Sequence, residues 1–226
     1  MIIITKKRYN IVQKKANKKL YDRCLKAVNA RLSGKRLAHV ISVSKCAAKL
    51  AKIYGVNKFD ARLAGLLHDW DKLYTDDELL GRLKELDMEV PENYELLWPV
   101  LHAFTGAQAI KKEFPEVSED IISAIHHHTL GGLEMTDLDM VIFIADLIEP
   151  LRDAKKRPGT KRLRKMVGKA SLEELYFACY VEVMHALIAR NRFIHPCAFE
   201  IWNGLVARYA DHSRQKQNQG NPNIMA

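Results

Sequence analysis

The chain has little of what marks several protein classes. Its four cysteines, Cys24, Cys46, Cys179 and Cys197, lie far apart with no CxxC spacing, so neither a zinc knuckle nor a disulfide framework is expected, and they read as reduced thiols of a cytoplasmic protein. Seven prolines and eleven glycines in 226 residues are too few for a loop-rich fold. The alternating pattern of strands is missing, and no apolar run approaches the roughly 20 residues of a membrane-spanning helix. At the start, the apolar Ile2-Ile3-Ile4 precedes the basic Lys6-Lys7-Arg8, the reverse of a signal peptide's order. Acids are scarce at one end only. Residues 1–36 hold twelve of the 36 Lys and Arg but one of the 27 acids, Asp22, so the net +9 is +11 there and −2 elsewhere. Such a basic arm is a candidate for weak RNA contact or simply a solvated helical face.

What is there is helical periodicity. From Arg36 to Tyr54, the apolar and small residues Leu37, Val40, Ile41, Ser44, Ala47, Ala48 and Ala51 recur at three and four, and Gly55 stands where that helix should stop. A second helix is expected from Phe59 or Asp60, as N-cap, through His68-Asp69 to Lys72. Being apolar on most sides, it should be central. Further helices are expected at about 76 to 87, 96 to 113, 118 to 128, 137 to 149, 171 to 190 and 197 to 210, separated by prolines and glycines. The fold class is therefore all-α.

Chemistry is suggested where polar residues interrupt these apolar faces. His68-Asp69 alone reads as a helix terminus with one exposed acid. Its company changes that reading: His39, His102, the run His126-His127-His128, and Asp146 within Phe143-Ile144-Ala145-Asp146-Leu147. A buried ionised aspartate costs several kcal/mol unless it is paired, and a divalent metal would remove the objection. Two imidazoles and two carboxylates suit Fe(II), Mn(II), Co(II) or Zn(II), among which spacing does not select. Arg36, three residues before His39, and Lys72, three after Asp69, each share a helix face with a proposed ligand and would aim cations at an anion such as phosphate.

The set His39, His68-Asp69 and Asp146 resembles the H…HD…D signature of the HD superfamily of metal-dependent phosphohydrolases. More narrowly, the segments Lys35-Arg36-Leu37-Ala38-His39-Val40, Ala61-Arg62-Leu63-Ala64-Gly65-Leu66-Leu67-His68-Asp69, His128-Thr129, Ile144-Ala145-Asp146-Leu147-Ile148-Glu149-Pro150 with Arg152, and Ile194-His195-Pro196 resemble the YqeK-like symmetrical bis(5′-nucleosyl)-tetraphosphatases. The resemblance spans about residues 33 to 205 and implies an HD-domain helical bundle at 33–210, between a basic N-terminal extension (1–32, expected helical) and a disordered polar tail (211–226). It implies iron held by His39, His68, Asp69 and Asp146, and symmetrical hydrolysis of diadenosine tetraphosphate to two ADP by attack of a metal-bound water. Asp69, Lys72, His102 and His128 are the implied catalytic groups. Substrate contacts are implied at Arg36, Asp69, Trp70, Asp71, Lys72, His102, His128, Thr129, Asp146, Arg152, Ile194 and His195.

The chain departs from that family pattern at Trp70-Asp71, which places an extra acid after the His-Asp pair, at His126-His127, and in the eight basic residues of 155–169. Two other readings stand beside it. One is a two-metal HD phosphodiesterase acting on a cyclic or oligonucleotide substrate, using His102 and one or two of His126 to His128. The other is a nucleotide- or RNA-binding HD module without turnover. A homodimer is compatible with the sequence, which does not set the oligomeric state.

Overall fold

Helices whose apolar residues recur at three and four each bury a stripe, and a helix apolar on every side must lie at the centre. The computed structural model describes residues 6–92, 94–153 and 159–219. Among them are ten helices and no strand: α1 (Lys6–Arg31), α2 (Gly34–Tyr54), α3 (Lys58–Leu67), α4 (Asp76–Glu85), α5 (Tyr94–Glu113), α6 (Glu119–His127), α7 (Asp137–Ile148), α8 (Gly159–Met166), α9 (Leu172–Ala189) and α10 (Pro196–Gln219). The fold is all-α, and none of these helices is long and apolar enough to cross a membrane. All four cysteines are free.

The central position falls to α7, where Val141, Ile142, Ile144 and Ala145 are wholly buried, with α2, α6 and α9 packed around it. Helix α3 packs on α2, α6 and α7. Gly65 lets it come close to α2, because a Cβ there would stand 3.0 Å from the Ser44 backbone. The left-handed Gly55 (φ 78°) ends α2 and returns its N–H to the Ala51 carbonyl, as its placement suggested.

Several expectations are corrected. The N-cap of α3 is Asn57, whose side chain accepts from the Phe59 and Asp60 N–H groups, an earlier start than Phe59 or Asp60. The helix stops at Leu67 rather than running to Lys72. His68 to Tyr74 instead follow as tight turns closed by Trp70 N–H to Leu67 O, Lys72 N–H to Asp69 O and Tyr74 N–H to Asp71 O. Helix α8 was not expected, because its apolar content is too low to give a periodicity. The backbone of α10 stays helical to Gln219, inside the stretch read as a tail, and residues 220–226 lie outside the described residues. The basic arm is helical but not wholly peripheral: Cys24 and Val28 on α1 and Leu32 just beyond its end, spaced four apart, are buried in the core.

Candidate metal centre

Five chain segments converge on two carboxylates, the buried Asp69 and the partly exposed Asp146. Helix α2 brings Arg36 and His39, the turn after α3 brings His68, Asp69 and Lys72, α5 and α6 bring His102 and His128, and the end of α7 brings Asp146 with Arg152 just beyond it. Asp69 Oδ2 accepts from Arg36 Nη1 at 2.5 Å and lies 3.4 Å from His68 Nε2 and 3.6 Å from His39 Nε2. Its Oδ1 lies 3.3 Å from His102 Nε2 and 3.8 Å from His128 Nε2. Asp146 Oδ1 is 2.9 Å from His39 Nε2 and 3.7 Å from His68 Nε2, and it also accepts from Arg152 Nη2. Asp146 is less enclosed than the sequence suggested, with 24% of its side chain exposed.

The partner at Nδ1 settles which ring nitrogen offers a lone pair. Carboxylate and carbonyl oxygens only accept, so the protons must sit on His39 Nδ1 facing Glu149 Oε1 (3.0 Å), on His68 Nδ1 facing Gly65 O (2.9 Å) and on His128 Nδ1 facing Ile125 O (2.6 Å). The Nε2 atoms are then the ones turned toward the carboxylates, and in the neutral form that binds a metal each carries the lone pair. His102 is opposite in sense. Its Nδ1 faces Lys72 Nζ at 3.3 Å, which leaves Nε2–H to donate to Asp69.

The electrostatics follow from burial set against these neighbours. Burial alone would lower the His68 pKa, but Asp69 and Asp146 outweigh it and raise it to about 10. Burial likewise works to raise both carboxyls, yet His68 with His102 and His128 holds Asp69, and His39 and His68 with Arg152 holds Asp146, well below the usual range. Burial dominates at His102, lowered to about 4, and also pulls Lys72 down.

A divalent cation fits this donor set. His39, His68 and Asp146 place one ligand atom each within 4.8 Å of one another, and His68, Asp69 and His128 do the same. The buried Nε2 atoms of His39 and His68 have no hydrogen-bond partner, and lone pairs left so are what a metal satisfies.

The structure therefore brings together His39, His68, Asp69, Asp146, Arg36, Lys72, His102, His128 and Arg152, and it leaves the Thr129 hydroxyl buried and unpartnered beside them in sequence. Others stand apart. Trp70 is buried against Phe114 and beneath Arg31, and Asp71 is wholly enclosed by Arg31 and Arg82, so neither side chain is free to meet a substrate. Ile194 packs on the core, and His195 Nδ1 accepts from the Cys197 N–H at 3.3 Å. No described contact joins either to the cluster. His126 packs on Phe104 and His127 bonds Ser123, and neither stands in a donor group among the described residues. Glu149 was missed as an orienting group. Its signal was its place three residues after Asp146, on the same helix face. Arg164, part of the basic stretch, clamps this end of α7 by donating to the carbonyls of Ile148, Glu149 and Arg152, while 154–158 lie outside the described residues.

An all-α bundle whose helix ends pool two histidines and two aspartates in the order His, His-Asp, Asp defines the HD-domain class of hydrolases, and the family model described as HD domain matches residues 36–151. A solved HD-superfamily hydrolase from Clostridium acetobutylicum, described as involved in NAD metabolism, superposes with a TM-score of 0.76 at 30% identity, over 83% of this chain and 97% of that one. The symmetrical bis(5′-nucleosyl)-tetraphosphatase of Halalkalibacterium halodurans is 31% identical over 186 residues, 81% of this chain and 96% of the relative. That of Bacillus subtilis is 31% identical over 189 residues, 82% and 97%. The chain belongs to this family of symmetrical bis(5′-nucleosyl)-tetraphosphatases.

Proposed function

We propose that the chain hydrolyses diadenosine tetraphosphate, or a related dinucleoside polyphosphate, at the middle of its phosphate chain to give two ADP, using a divalent cation held by His39, His68, Asp69 and Asp146. Iron is the proposed ion, with manganese, cobalt and zinc as substitutes. The observation that carries this reading is the pair of buried, unpartnered Nε2 atoms of His39 and His68 aimed at two carboxylates. A cation bound there supplies Lewis acidity toward a phosphoryl oxygen and lowers the pKa of water.

The chain's own residues do the rest. Arg36, Lys72 and Arg152 ring the carboxylates with positive charge, where the developing charge of phosphoryl transfer needs it. His102, neutral at physiological pH, fixes Asp69 through Nε2–H while Lys72 holds its other nitrogen. His128 and the Thr129 hydroxyl are the groups left to hold phosphate oxygens or to move a proton toward the departing ADP.

One observation favours a second reading. His128 stands in a second donor group with His68 and Asp69, and in a two-metal phosphodiesterase His128 and Asp69 would hold the second ion while His68, common to both groups, held the first. Anaerobic incubation of the Fe(II)-loaded protein with diadenosine tetraphosphate, with products separated by ion exchange and metal content measured, tests both. ADP alone with one ion per chain is expected. ATP plus AMP would mean a different cut, and two ions without ADP would favour the phosphodiesterase.

A further inference from the structure

The turn that carries Asp69 is held from outside the matched HD segment. Asp71 has no exposed side-chain surface; its Oδ1 accepts from Arg31 Nη2 at 3.2 Å and its Oδ2 from Arg82 Nε at 3.3 Å. The same Arg31 nitrogen donates to the Tyr74 hydroxyl at 3.1 Å, and the guanidinium lies over the Trp70 ring, 4.4 Å from its centroid. One side chain at the end of α1 thus touches residues 70, 71 and 74. Those residues share a backbone with Asp69 and Lys72, which are locked to each other by the Lys72 N–H to Asp69 O bond. Arg82 grips the turn from α4, and α1 is itself fixed by Val28 and Leu32 in the core.

We infer that Arg31 is a positioning residue for the metal centre: acting through Asp71 and Trp70, it braces the turn that presents Asp69 and Lys72. The planar fork of an arginine can serve a carboxylate, a hydroxyl and an aromatic face together, which a lysine cannot do. The basic arm is then part of the catalytic scaffold, and a version of the chain cut after α1 would lose more than a charged surface. The inference rests on Asp69 being a metal ligand.

The test is Mn(II) binding by titration calorimetry to the full chain after chelator treatment, with thermal unfolding followed on the same samples. Arg31→Ala is expected to weaken Mn(II) binding about tenfold, at the lower end of what outer-shell partners of metal ligands contribute. Arg31→Lys is expected to lose less. Arg31→Ala combined with Asp71→Asn should cost less than the sum of the two single losses, because the two share the Arg31–Asp71 contact. Arg23→Ala is the control. Arg23 tethers the same helix through the exposed Glu116 pair without touching the turn, and its loss should leave Mn(II) affinity unchanged. If Arg31→Ala fails to fold, Arg31→Lys compared with Arg23→Ala decides. Equal affinities in wild type and the Arg31 variants, or an equal loss in Arg23→Ala, would overturn the positioning role. A wild-type chain that binds no Mn(II) would overturn the metal centre and the brace together.

Discussion

Asp69 and Asp71, separated by one residue on the same turn, are 3% and 1% exposed, and their surroundings differ in kind. Around Asp69 stand one arginine and four imidazoles, two of which have a buried Nε2 with no hydrogen-bond partner. Asp71 has both oxygens engaged by guanidinium donors in a closed arrangement. At Asp69 the histidines outweigh burial and hold the carboxyl far below its ordinary value; at Asp71 burial outweighs Arg82 and Arg31 and the carboxyl is raised. Equal burial therefore says little about role. A carboxylate among unsatisfied lone pairs is equipped for a cation, and one saturated by fixed cations is equipped to hold a backbone in place.

The comparison breaks most visibly if each carboxylate is replaced by its amide. Asp69→Asn should lose metal and lower kcat by about three orders of magnitude or more, since the Lewis acid contributes several kcal/mol. Asp71→Asn should retain turnover to within about tenfold, the size of an outer-shell effect. Steady-state ADP release and metal content measured on both variants check this, and equal losses in the two would erase the distinction.

A smaller effect is expected one step out from the ligands. Glu149 is 1% exposed and fixes the His39 ring through Nδ1–H. Replacing it by Gln keeps the shape but weakens that bond and the basicity of Nε2, so metal affinity should fall about 10- to 100-fold with the fold intact. Titration with Mn(II) reads this directly, and unchanged affinity would mean that His39 needs no orienting partner.

The helices were legible in the sequence because apolar residues spaced at three and four define faces, and His39, His68 and Asp146 drew notice by interrupting them. That they act as one ligand set was implied by the resemblance to the HD pattern, and the structure brings them within reach of one another. Helix α8 was not legible because only Leu163 and Thr160 of its eight residues are buried, too few to show a period. The end of α3 was missed because the tight turns from His68 continue the same apolar spacing without the helical hydrogen bonds. The resemblance implied substrate contacts at Trp70 and Asp71, whereas successive residues in such a turn face different elements, and these two side chains face Phe114, Arg31 and Arg82. Their partner Arg31 is 40 residues from Asp71, and no spacing rule reaches that far.

The smallest expected effect concerns acid stability of the chelator-treated protein, where the two aspartates should act with opposite sign. The folded Asp69 carboxyl lies below the ordinary value of 3.8, so its contribution to stability is present above that pH and is lost as pH falls toward the folded value. The folded Asp71 carboxyl lies above 3.8. On acidification the native chain takes up that proton before the unfolded chain does, so the Asp71 contribution grows as pH falls to 3.8 and is lost as pH rises through the folded value. Denaturant unfolding followed across the carboxylate range should show Asp69→Asn with a shallower loss of stability in acid than wild type, and Asp71→Asn with a steeper one. Profiles that shift without changing slope would mean that the two carboxyls do not titrate differently between the folded and unfolded chains, and that the contrast on this turn is one of geometry alone.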